Sequence, residues 1–270
     1  MKIHSEKELT QFAKNVRQHI LKMSTNGGCF AGASLSMVEL VTYLYNNYMN
    51  ISKELLVSDE RDFLFLSKGH AVPALYGAFA ELGWLDAARF NNHLKIKDDI
   101  YWHPNTNIPG IEFHSGSLGH ALPISVGVAL SLKIDKINNK VIVILGDGEL
   151  NEGSNWEAVM VAASKNLDNL IIIIDRNKFQ ANLQTEHLLP IEPIADKFLA
   201  FNCGVRRING HSFEEIRQSL DDVPYSYGKP SVIIADTIRG KGIKEWENQA
   251  DKWFCNISND EYQAFKKEIA

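Results

Sequence analysis

Residues 141–180, VIVILGDGELNEGSNWEAVMVAASKNLDNLIIIIDRNKFQ, constrain the fold more than any other stretch. The uninterrupted, β-branched apolar run 141–145 has the length and content of a strand. It stops at Gly146-Asp147-Gly148, where two glycines let the backbone turn sharply and let a ligand come close. A helix is expected next, with Trp156, Val159, Met160 and Ala163 on one face. A second apolar run, 170–174, ends in Asp175-Arg176-Asn177. Strand, loop, helix, strand, loop predicts a right-handed βαβ unit of a parallel sheet. In such sheets ligands sit beyond the carboxyl ends of the strands, where Asp147 and Asn177 both fall. Two converging oxygen side chains at a glycine-rich turn suit a hard cation such as Mg2+ holding a phosphate. The same residues also suit a helix cap at Asp147 and a closed turn at Asn177.

The size of the chain fits such a sheet. Its 270 residues, 45% of them apolar, allow one large α/β domain or two small ones. A net charge of −5 without a basic or acidic block argues against nucleic acid or an anionic membrane as the main partner. No apolar run reaches spanning length, and Met1 begins a polar segment rather than a signal peptide. Cys29, Cys203 and Cys255 show no metal-like spacing, so reduced thiols in the cytoplasm are expected.

Before the central unit, Ser5 and Glu8 form a capping box for a helix through Leu9, Phe12, Ala13, Val16 and Ile20. The glycine-rich segment 27–36 reads as an interhelical loop. Ser36 with Glu39 reads as a second capping box, opening a helix over 38–48. A strand over 63–66 leads to Ser67-Lys68-Gly69-His70 and a helix over 71–82. That turn puts a hydroxyl, an ammonium and an imidazole at the ligand-binding edge, a setting that suits phosphate; a structural histidine is the ordinary alternative. A short helix is expected over 84–92. The polar stretch 100–117, with Trp102-His103-Pro104 and His114-Ser115-Gly116-Ser117, is a candidate binding loop. Residues 118–132 read as a small-residue helix. After the central unit come a proline-marked turn (188–193), a helix (194–200), a strand (205–208), a Ser212-capped helix (213–220), a strand (231–236) and a terminal helix (260–269). Arg239 and Lys241, in the TIRGKG segment, are expected to be solvated.

Gly-Asp-Gly followed by an Asn after a buried strand resembles the thiamine diphosphate signature. The resemblance implies that Asp147, Asn177 and the carbonyl of Phe179 bind Mg2+, or Ca2+ or Mn2+ in its place. Further segments occur in order: Gly32-Ala33-Ser34-Leu35-Ser36, Ser67-Lys68-Gly69-His70-Ala71, His103-Pro104, Ser115-Gly116-Ser117-Leu118-Gly119, Gly146-Asp147-Gly148-Glu149-Leu150-Asn151-Glu152-Gly153, Leu167-Asp168-Asn169-Leu170 and Gly240-Lys241-Gly242. Together they resemble transketolase over nearly the whole chain. The resemblance implies an α/β, three-layer thiamine diphosphate-binding fold with a mostly parallel central sheet flanked by helices, as a single diphosphate-binding domain over 1–270. It implies that His70 and Gly148 contact the diphosphate and that Gly116, Ser117 and Leu118 line the cofactor's rings. Glu152 would join a carboxylate network linking two active sites, and His103 would face the sugar.

A full transketolase is far longer. The chain resembles the amino-terminal subunit of a split enzyme, which implies a separate carboxy-terminal, pyrimidine-binding partner, an α2β2 assembly, and no activity alone. Three positions depart from the family pattern. Cys29-Phe30 stands where Gly-His is usual, Trp253-Phe254 where Trp-His is usual, and His120 where Gln is usual. A phenyl ring cannot donate a hydrogen bond, and an unpaired buried hydroxyl costs ~1–3 kcal/mol. A specialised acceptor (deoxy, branched or nucleotide-linked), or a less polar donor, is therefore expected in place of pentose phosphates. The alternatives are one chain of a 2-oxoacid dehydrogenase or decarboxylase, and a catalytically inactive cofactor-binding chain.

Overall fold

A computed structural model of the chain describes residues 4–269; Met1 and the outer limits of the expected 1–270 domain lie outside the described residues. In chain order the helices are α1 (Glu6–Ser24), α2 (Ala31–Leu35), α3 (Val38–Tyr43), α4 (Val72–Glu81), α5 (Ala121–Ile134), α6 (Gly153–Ser164), α7 (Thr185–Leu188), α8 (Ile194–Ala200), α9 (Phe213–Asp221) and α10 (Asn259–Ile269). The strands are β1 (Phe63–Leu66), β2 (Val141–Gly146), β3 (Leu170–Arg176), β4 (Phe179–Gln180), β5 (Leu183–Gln184), β6 (Gly204–Asn209) and β7 (Ser231–Asp236). Five of them form an all-parallel sheet in the order β1-β2-β3-β7-β6, and β4-β5 is a small hairpin.

The period-two geometry of a strand turns each apolar run into two cores. Ile142, Ile144, Ile171, Ile173 and Ile233 face a core shared with α1, α3 and α4. Val141, Val143, Leu145, Ile172, Ile174 and Ile234 face the opposite core, with α5, α6 and α8. The expected sheet flanked by helices is thus observed. The chain steps from β1 to β2 to β3, then crosses to the far edge at β6 and returns to β7. That reversal opens a crevice at the carboxyl ends of the strands.

Several local expectations change. On α6 the buried residues are Asn155, Ala158, Val159 and Ala162, while Met160 is 51% exposed. Asn155 is admitted to that face because its amide donates to the Glu149 carbonyl at 2.7 Å. The Ser5–Glu8 capping box forms as expected, but Ser36 caps nothing; its hydroxyl donates to Asp175 Oδ2 at 2.6 Å. Glu39 pairs instead with Arg17 and His211. Part of the glycine-rich segment is helical and buried, as α2. The helix after β1 starts as a 3-10 turn at Gly69–Ala71 before α4.

Removing buried branched carbons leaves a cavity, whereas trimming an exposed side chain does not. Ile173→Ala should therefore lower unfolding free energy by about 2–5 kcal/mol, and Met160→Ala by less than about 0.5 kcal/mol, measured by urea denaturation.

Candidate active site

A cavity of about 430 Å³ opens at the carboxyl ends of the sheet. The turn after β1 brings Lys68 and His70, the turn after β2 brings Gly146–Glu149, the segment after β3 brings Asn177–Ala181, and the segment after β7 brings Arg239. Phe30, His103, Gly116, Leu118 and Trp253 complete the wall. Of the residues singled out from sequence, His70, His103, Gly116, Leu118, Asp147, Gly148, Asn177 and Phe179 come together here. Ser117 and Glu152 are exposed and do not line the cavity.

Both ordinary roles considered for the two oxygen side chains are realised. Asp147 Oδ1 accepts from the Gly148 N–H at 2.8 Å, and Asn177 Oδ1 accepts from the Phe179 N–H at 3.1 Å. Each of these oxygens retains acceptor capacity beside the cavity, so local capping and cation binding are compatible. Gly148 must be glycine: an ideal Cβ there would lie 2.7 Å from Gln180 Cβ. No cluster of three or more His, Cys, Asp or Glu side chains suited to a metal occurs among the described residues. Two protein oxygens fit a cation that completes its shell with ligand phosphate and water.

Asp175, 0% exposed, is the hub beneath this wall. Its Oδ2 accepts from Lys68 Nζ, from Ser36 Oγ at 2.6 Å and from Asn177 Nδ2 at 3.1 Å. Its Oδ1 accepts from the Thr237 hydroxyl. Burial alone would raise its pKa, but Lys68 and the hydroxyl donors hold it below the ordinary aspartate value. The reverse holds for Glu149 and Asp147, where burial outweighs the hydrogen bonds and raises both. Glu149 accepts from Ser67 Oγ and from the Gly119 and Gly146 N–H groups, at 2.9 and 3.1 Å for the last two. The Ser67 hydroxyl and Lys68 ammonium, expected at the ligand-binding edge, are therefore committed to internal partners; Lys68 also donates to the Ala33 carbonyl at 3.0 Å.

Arg239 overturns the expectation of solvation. It is 1% exposed, its guanidinium lies 4.6 Å from the Phe179 ring centroid, and Nε has no partner. Burial lowers its pKa to about 10, which leaves it cationic at neutral pH. Lys241 keeps partial exposure and pairs with Glu247 at 3.3 Å. An anionic group in the cavity would meet Arg239, and an anion bridged to a cation at Asp147 and Asn177 fits this donor set. Sequence reading missed Glu149, Asp175 and Arg239. For Asp175 the signal was available: an acid ending the run LIIII has no water and needs a cation.

Both cavity histidines are neutral at pH 7. Burial, then the charges of Lys68, His103 and Arg239, push His70 down to about 3, and burial lowers His103. Phe30 packs on His70, His103, Trp253 and Phe254, with ring centroids 5.6, 6.0, 4.8 and 5.2 Å away. One side of the mouth is therefore aromatic and lacks hydrogen-bond donors at Phe30 and Phe254.

Known proteins share these features. The family described as "Transketolase, thiamine diphosphate binding domain" matches residues 11–270. One of the two component chains of the apulose-4-phosphate transketolase from Actinobacillus succinogenes is 37% identical over 254 residues, covering 91% of this chain and 92% of that protein. A 6-deoxy-6-sulfo-D-fructose transketolase subunit of a Clostridium species is 36% identical over 247 residues, covering 88% of this chain and 87% of that one. The crystal structure of Campylobacter jejuni transketolase superposes with a TM-score of 0.89 at 27% identity, over 98% of this chain but only 43% of that chain.

Losing the Asp175 charge would leave Lys68 buried and uncompensated. Asp175→Asn should destabilise the protein by about 3–5 kcal/mol at pH 7. A depressed carboxylate pKa contributes stability above its unfolded value and loses it as pH falls through the folded value. The gap between variant and wild type should thus stay constant above about pH 5 and narrow only below the ordinary value of 3.8. Urea titrations across that range measure it.

Proposed function

The chain belongs to the transketolase family, and on that premise we propose that it is the diphosphate-binding subunit of a split transketolase, transferring a two-carbon ketol unit between sugars together with a separate pyrimidine-binding chain. The observation that carries this reading is the pairing of Asp147 and Asn177 at neighbouring strand ends, each with a free acceptor site on one cavity. Residues 1–270 act as one diphosphate-binding domain. Asp147, Asn177 and the Phe179 carbonyl hold Mg2+, or Ca2+ or Mn2+, while His70, Gly148 and Arg239 face the diphosphate. Gly116, Ser117 and Leu118 line the cofactor's rings. Thiamine diphosphate, when bound, supplies the carbanion chemistry. A neutral His103 offers one N–H and one lone pair, so it can hold a sugar hydroxyl or pass a proton.

The partner requirement is supported by length: the chain covers most of relatives named as subunits but under half of a whole transketolase. Glu152, exposed outside the cavity, is free to join a carboxylate network with the partner in an α2β2, cytoplasmic assembly. No helix among the described residues is long and apolar enough to cross a membrane. The substrate is a specialised sugar. The relatives named for apulose 4-phosphate and 6-deoxy-6-sulfo-fructose support this, as does the aromatic mouth at Phe30 and Phe254.

The test is ketol transfer by the purified pair across a panel of branched, deoxy and sulfonated sugars. At least one should exceed xylulose 5-phosphate with ribose 5-phosphate by about 5–150-fold, the factor for ~1–3 kcal/mol of unpaired hydroxyl. Efficient turnover of the pentose phosphates would overturn the substrate reading. Asp147→Asn should abolish turnover and metal-dependent cofactor binding, followed by calorimetry.

A further inference from the structure

We propose that Arg176 is a positioning residue for the cation site, turning the Asp147 carboxylate so that Oδ1 serves the cavity. The inference rests on the reading of Asp147 as a cation ligand. Asp147 Oδ2 is saturated by two donors, Arg176 Nη1 at 2.8 Å and the Lys178 N–H at 2.7 Å. Oδ1 accepts only from the Gly148 N–H, at 2.8 Å. A carboxylate oxygen takes two donors, so the vacant acceptor site belongs to Oδ1. The side chains of Arg176 and Asp147 are 3% and 1% exposed, so no water is at hand to replace a lost donor on Oδ2.

The rest of the guanidinium explains why an arginine stands there. Nη2 donates to Glu186 Oε1 at 2.8 Å and Nε to Glu192 Oε1 at 3.2 Å. Arg207 also reaches Glu192, at 3.1 Å. One cation is thus divided among three carboxylates from three segments: the turn after β2, α7, and the loop before α8. Asp147 is oriented without being neutralised, and the surplus negative charge remains beside the place a divalent ion would take. A lysine has a single ammonium and cannot hold these three groups in a fixed fork.

The experiment is calorimetric titration of Mn2+ into the full chain saturated with thiamine diphosphate, with metal-free melting temperatures recorded in parallel. Arg176→Gln should weaken metal affinity about 10–100-fold, the usual effect of removing a group that orients a metal ligand. Arg176→Lys should recover only part of that loss. A drop in melting temperature with unchanged metal affinity would make Arg176 merely structural and overturn the proposal. Should Arg176→Gln fail to fold, the double variant Glu186→Gln/Glu192→Gln retains the Asp147 contact. It hands the full guanidinium charge to Asp147 and should weaken metal affinity about tenfold; unchanged affinity there overturns the proposal. If wild type itself takes up no Mn2+, the reading of Asp147 as a ligand fails. If wild type binds and Arg176→Gln matches it, only the positioning role fails.

Discussion

A single carboxylate with no access to water sets the geometry of the strand ends. Burying Asp175 costs several kcal/mol unless it is paired and hydrogen-bonded. The partners come from the end of β1 (Lys68), the residue after α2 (Ser36), the residue after β7 (Thr237) and the start of the segment after β3 (Asn177). Four segments distant in sequence are thereby indexed to one pair of oxygens. The consequence reaches the cavity through Asn177. Because Asp175 only accepts, the Asn177 amide nitrogen must point at it, and the amide oxygen is the atom left for Phe179 and the cavity. The interaction that satisfies the buried acid also selects which atom Asn177 presents.

The sheet was legible because parallel strands covered on both faces need uninterrupted apolar runs, and 141–145, 170–174 and 231–235 supply them. The site was legible only where function coincides with a local turn, as at Gly146-Asp147-Gly148. What failed shares one cause: contacts made across long sequence separations. The Ser36–Glu39 spacing matches a capping box, but Asp175, 139 residues away, takes the hydroxyl. Arg239 sits in a glycine-flanked stretch that reads as solvated, and its burial comes from the Ala181 and Ala250 carbonyls and the Phe179 ring. On α6 nearly every position is small or apolar, so periodicity defines no unique face. The face is decided instead by Asn155 reaching the Glu149 carbonyl.

The aromatic mouth is a unit rather than two independent replacements. Residues 29 and 255 exchange backbone hydrogen bonds at 3.0 and 2.9 Å, which fixes Phe30 beside Phe254. Gly28 has φ +81, and a Cβ there would come within 2.5 Å of the Phe254 ring. Trp102 locks the same turn by donating from Nε1 to the Gly28 carbonyl at 3.0 Å, and its ring meets Phe254 edge-on at 5.8 Å. Glycine at 28 and phenylalanine at 254 therefore depend on each other.

The cavity that results has two unlike walls. One carries Lys68, Arg239 and the neutral imidazoles of His70 and His103; the other offers the phenyl ring of Phe30 at the cavity, backed by Phe254. A sugar presents hydroxyl and C–H surfaces, and any hydroxyl turned to the aromatic wall loses its water without gaining a partner. A C–H surface placed there loses nothing. Selection at this wall thus works by penalty: it needs no contact that recognises the favoured sugar, only the absence of a donor or acceptor for a hydroxyl that the favoured sugar does not have.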